Sequence, residues 1–172
     1  NAYFDDHAAE IKKFADGFFF VIGDWSGASK QLAGANNPWL EAVRKNIASL
    51  RKAGVGENLL GVYFSGDGPW PSEQALLGEA GTARIRAEFG VLGRAAKSLG
   101  FRGVSIDMEY AEGRYELGHA SWKYNGYATQ DLTRQAYRHG AAAIAAVLEE
   151  YPEAVVTLLP GELYHFRPLG RE

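Results

Sequence analysis

The sequence predicts an α/β protein made of parallel βα repeats, forming part of a (β/α)8 barrel of the TIM type. Three observations predict this. Apolar runs of strand length alternate with amphipathic stretches of helix length. Loops read as long after the strands and short before them, the pattern of parallel strands joined by right-handed crossovers. Finally, the run Phe101 to Tyr110 sets Val104, Ile106 and Met108 on one face and Ser105, Asp107 and Glu109 on the other. A barrel has a polar-capable inside and an apolar outside, whereas a strand sandwiched between two helical layers is apolar on both faces. The alternative is a small open doubly wound sheet, because a barrel typically takes about 250 residues and this chain of 172 supplies roughly half the strands. Against that alternative, Gly23-Asp24-Trp25-Ser26-Gly27 is not the dinucleotide fingerprint, and no phosphate-binding loop occurs.

Taken in order, Asp5 to Ala15 has helical periodicity through Ala9, Ile11 and Phe14, with acids at its start and Gly17 at its end. Phe18 to Ile22 is a continuous apolar run and reads as a strand buried on both faces. It ends at Gly23-Asp24-Trp25, and a polar loop is expected from there to Asn36. Asn37-Pro38 then starts a helix, with Asn as N-cap and Pro in the first turn. Leu40, Val43, Ile47 and Leu50 form its apolar stripe, and Gly54 closes it.

Leu59 to Phe64 is the second strand, followed by the stiff loop Ser65 to Pro71, which carries Asp67 and Trp70. A helix from about Thr82 to Ser98 stops at Gly100, and the strand with Asp107 and Glu109 follows. Ala111 to Ala128 is a long connection containing Arg114, Tyr115, His119, Trp122, Tyr124 and Tyr127; connections this long are usually lids or binding loops. Gln130 to Glu150 is a long helix whose alanines, Ala141 to Ala146, suit close packing. Pro152 ends it, and Val155 to Leu159 is the last strand, running into Pro160-Gly161-Glu162-Leu163-Tyr164.

Composition is that of one globular domain spanning residues 1–172, with 47% hydrophobic and 23% charged residues. A net charge of -3 with scattered Lys and Arg argues against nucleic acid and anionic membranes as partners. No apolar run is long enough to span a bilayer. With no Cys, disulfides and thiol chemistry are excluded and the compartment is left open, a secreted or periplasmic one included. The chain opens on Asn1 and its one Met is Met108, so it is expected to be a processed or excised piece, an incomplete barrel. Half a barrel would need a partner for its edges, either further chain or a second copy.

The strands end at Asp24, Asp67, Asp107 with Glu109, and Glu162. As parallel neighbours these carboxylates would share one rim, where crowding raises the pKa of at least one and makes a proton donor available. Trp25, Trp70, Tyr110, Trp122 and Tyr164 lie beside them in sequence. Aromatic faces next to carboxylates suit sugars, whose C–H faces are apolar and whose hydroxyls need acceptors. Cleaving a glycosidic bond needs a protonated carboxyl for the leaving oxygen and a second group for the developing cation.

Asp24 and Asp67, near glycines, also fit ordinary turns, and Trp39 on a helix fits packing. The histidines are dispersed, without zinc spacing, so no metal is expected. Mg²⁺ or Ca²⁺ on Asp67, Asp107 and Glu109 is the alternative left open, which would suit a phosphoester hydrolase.

Arg102-Gly103-Val104-Ser105-Ile106-Asp107-Met108-Glu109-Tyr110 resembles the strand-four signature of family-18 glycoside hydrolases, the chitinases and their relatives. Gly103, the alternating aliphatics, Asp107, Glu109 and Tyr110 match; Arg102, Ser105 and Met108 stand where that family has two acids and a Trp. The resemblance implies Glu109 as general acid and Asp107 as the group orienting the substrate. Asp24, Trp25, Asp67, Trp70, Tyr110, Trp122, Glu162 and Tyr164 are the expected sugar contacts. A carbohydrate-binding barrel without chemistry is the rival expectation.

Overall fold

The computed structural model describes residues 3–33, 38–63, 79–107 and 129–159. The elements are α1 (Tyr3–Ile11), β1 (Phe19–Asp24), α2 (Trp25–Ala33), α3 (Pro38–Lys52), β2 (Leu59–Tyr63), α4 (Glu79–Leu99), β3 (Gly103–Asp107), α5 (Thr129–Glu150) and β4 (Val155–Leu159). The four strands form one sheet in the order β1-β2-β3-β4, every pair parallel. The α/β class and the parallel βα rhythm are therefore as expected. Among the described residues β1 and β4 each pair on one side only, so the sheet is open and a closed eight-stranded barrel is not seen.

Strand register divides the side chains between two unlike faces. Phe20, Leu60, Val104 and Val156 form one row; Val62, Ile106 and Leu158 form the next on the same face. Leu60, Val62, Val104 and Ile106 are buried in the main core with Ile47 of α3, Ile85, Phe89 and Leu92 of α4, and Val147 of α5. Ala28 and Leu32 of α2 join them. A smaller cluster joins Ala8 and Ile11 of α1 to Leu50 and Val55, with Phe20 packed against it. Phe20 also meets the Phe101 ring at 5.6 Å between centroids, so the two clusters meet at Phe20. The core of the five described helices thus lies on one side of the sheet.

The other face carries Val21, Gly61, Ser105 and Thr157 in one row and Tyr63, Asp107 and Leu159 in the next. On β1 that face is open: Phe19 is 52% and Val21 56% exposed. The expectation that the first strand is buried on both faces is corrected here. A continuous apolar run is what two-sided burial requires, but among the described residues β1 is an edge strand with helices on one side only.

Two further expectations are corrected. The stretch after Asp24 is not a loop, for α2 begins at Trp25. Its signal is the i, i+4 pair Ala28 and Leu32, both buried, which small neighbours such as Ser26, Gly27 and Ser29 obscure. α1 uses Phe4, Ala8 and Ile11 rather than Phe14, which is exposed beyond the helix end. By contrast Gly54 and Gly100 close α3 and α4 as expected, each with positive φ that other residues rarely adopt.

α4 and α5 pack closely. A Cβ on Gly93 would lie 2.8 Å from the Val147 carbonyl oxygen, so the alanine-rich face of α5 approaches the α4 backbone. Arg86 grips Glu149 with both carboxylate oxygens at 2.6 Å, and Arg94 pairs with Glu150. These exposed pairs add little, since surface ion pairs are typically worth less than about 1 kcal/mol.

The strand starts are stitched together by Asn58, which is fully buried. Its Nδ2 donates to the Val55 carbonyl at 2.7 Å, and its Oδ1 accepts from the Phe18 amide at 3.2 Å. Its own carbonyl accepts from the Arg102 amide at 2.7 Å. One side chain therefore ties the entries of β1 and β2, and its backbone reaches that of β3. Asn58→Ala should leave the Phe18 amide and Val55 carbonyl without partners, at about 1–3 kcal/mol, visible as a lower urea midpoint with an unchanged slope.

Candidate functional site

In a parallel sheet the chain leaves every strand at the same end, so the candidate site lies at the ends of β1 to β4. Asp107 is the last residue of β3, half-buried, and sits in register between Tyr63 of β2 and Leu159 of β4. It faces away from the helical layer, on the face of Ser105, as the alternation of this strand predicts. Val104 and Ile106 face the helices and are buried. The division of the strand into a core face and an acid-bearing face is thus observed over Gly103–Asp107.

Asp24 closes β1, and the β1–β2 register shifts between Val21 and Asp24 to pair Asp24 with Tyr63. The backbones of Asp24 and Asp107 therefore flank that of Tyr63, one strand to either side. Trp25 opens α2 directly after Asp24. Asp67, Trp70, Glu109, Tyr110, Trp122, Glu162 and Tyr164 lie outside the described residues. The structure therefore brings Asp24 and Asp107 to one end of the sheet, and of the expected sugar contacts it also carries Trp25 there.

One row below Asp107, Ser105 and Thr157 are register partners on β3 and β4. Ser105 is 2% exposed, and neither its Oγ nor Oγ1 of Thr157 has a hydrogen-bond partner among the described residues. Sequence reasoning placed Ser105 on the polar face but passed over Thr157. The signal was available, because Thr157 interrupts an otherwise aliphatic strand.

Other polar groups serve packing. Buried His139 shares a 2.8 Å hydrogen bond with Gln135, whose Nε2 also donates to Thr82 Oγ1 at 3.2 Å, joining α4 to α5. Trp39, expected to pack, is 39% exposed at the start of α3. Asp16 lies before β1, at the opposite end of the sheet from Asp107; a hydrogen bond from Lys12, together with its charge, holds the Asp16 carboxyl below its ordinary range.

Among the described residues no group of three or more His, Asp or Glu is placed to hold a metal ion. Asp67 and Glu109, which would share a hard cation with Asp107, are not among them. No described helix is long and apolar enough to cross a membrane. Compared with known proteins, the chain matches no family model, no curated protein and no solved structure.

Proposed function

We propose that this chain is part of a (β/α)8-type barrel that binds an oligo- or polysaccharide and hydrolyses it by carboxylate general acid/base catalysis. Among the described residues, strand order without reversal and helices packed on one face support the barrel reading, since a doubly wound sheet reverses its order and carries helices on both faces. The single observation that carries the functional reading is Asp107, closing β3 on the face away from the helices. Barrel enzymes draw their chemistry from residues at this position.

Glu109 follows two residues later, with the same parity as Asp107 in the sequence. In this reading Glu109 protonates the leaving glycosidic oxygen, and Asp107 orients the sugar and stabilises the positive charge that develops on it. Asp24, Asp67 and Glu162 accept hydrogen bonds from sugar hydroxyls. Trp25, Trp70, Tyr110, Trp122 and Tyr164 offer stacking faces. No metal or organic cofactor is required.

Arg102, Ser105 and Met108 replace residues of the family-18 signature, and this favours a second reading: a barrel that holds sugars without cleaving them. Calorimetric titration with a panel of oligosaccharides, run beside a reducing-end assay on the same panel, separates the two. Binding with turnover supports the enzyme. Binding without turnover selects the second reading, and absence of both removes carbohydrate altogether.

A further inference from the structure

The hydroxyls of Ser105 and Thr157 are the observation that neither the fold nor the proposed chemistry uses. Both project from the face that also carries Asp107, as register partners on neighbouring strands. Both oxygens are buried and without partners among the described residues. Buried polar side chains in native proteins nearly always have one. Neighbouring strands are about 4.8 Å apart, and residues two apart on a strand about 6.6 Å. The two hydroxyls do not bond to each other here, and a water set between them and the carboxylate one row above would supply the missing partner.

We propose that Ser105 and Thr157 hold an internal water that also donates to the Asp107 carboxylate. Buried waters typically make about three hydrogen bonds, and two hydroxyls with one carboxylate provide three. Asp107 takes part even if it has other partners, because a carboxylate has about four acceptor sites. The burial of Ser105, 2% exposed, makes this an internal water rather than a direct contact with bulk ligand. The two hydroxyls are then positioning residues: they act on whatever Asp107 meets by fixing its side chain from below. This holds whether or not the ligand is a sugar.

The test is a crystal structure of the whole chain at a resolution that shows ordered water, with Thr157→Val and Thr157→Ser beside it. One water within hydrogen-bonding reach of Ser105 Oγ, Thr157 Oγ1 and an Asp107 oxygen is expected. Thr157→Val should lose that water, let the Asp107 side chain take a different rotamer, and melt about 2–4 °C lower. Thr157→Ser should keep both the water and the rotamer. The proposal is overturned if the hydroxyls bond to each other or to main-chain carbonyls with no water between. It is equally overturned if the water misses Asp107, or if Thr157→Val melts at or above the parent.

Discussion

Replacing Glu109 with Gln is expected to lower glycoside hydrolysis by about 10²–10⁴-fold, the range that general acid catalysis contributes. The substitution keeps the size of the side chain and its hydrogen-bonding reach but removes the transferable proton. Oligosaccharide affinity should therefore stay within a few-fold. The contrast between turnover and binding is the informative quantity. Hydrolysis that survives within tenfold would take the acid role away from Glu109. A parallel Asp107→Asn variant should raise KM and lower kcat together, because Asp107 is assigned both orientation and charge stabilisation.

A large effect on folding is expected at Gly103. A Cβ there would lie 1.9 Å from the Val155 carbonyl oxygen and 2.6 Å from the Val155 nitrogen. These are backbone atoms of the paired strand, so no rotamer change relieves the contact. Gly103→Ala must instead move β4 away from β3, where the Val155 amide donates to the Arg102 carbonyl at 3.1 Å. Overpacking of this kind costs about 3 kcal/mol or somewhat more, or roughly 6–12 °C in melting temperature for a domain of this size.

Gly140 provides the control. It is an exposed position in α5 where a Cβ would meet nothing within 4 Å. Gly140→Ala should therefore stabilise the protein by about 0.5–1 kcal/mol. Thermal melts of the two variants should move in opposite directions. If Gly103→Ala melts within 2 °C of the parent, the close β3–β4 approach is wrong.

Much of the architecture was legible in the residues. β4 runs over Val155–Leu159 as read, and the stripe Val43, Ile47 and Leu50 of α3 is buried as its spacing demands. Gly54 and Gly100 announce helix ends, and the alternation around Ile106 announces two unlike faces. What escaped did so for physical reasons. α2 shows few large apolar residues, so its helical period rests on Ala28 and Leu32 alone. β1 is as apolar on its open side as on its packed side, and hydrophobicity cannot distinguish an edge strand from a central one. Asn58 was not singled out, because its partner at Phe18, 40 residues away, is met only when β1 and β2 come together.

The candidate site was legible to a different degree. The parity of Asp107 follows from a period-two pattern and is observed. Asp24 reaches the end of β1 beside Tyr63, yet with a register shift that no sequence pattern encodes. The aromatic and acidic residues after β2, β3 and β4 were grouped by their position after strands. Their mutual placement depends on long connections, where backbone conformation is set by few local rules.

The Asn58 clamp has an evolutionary consequence. With the strand entries held by one buried amide, the alignment of the sheet does not depend on the residues where the chain leaves it. Substitutions on that far rim are therefore expected to be tolerated by the fold more readily than substitutions at the clamped end.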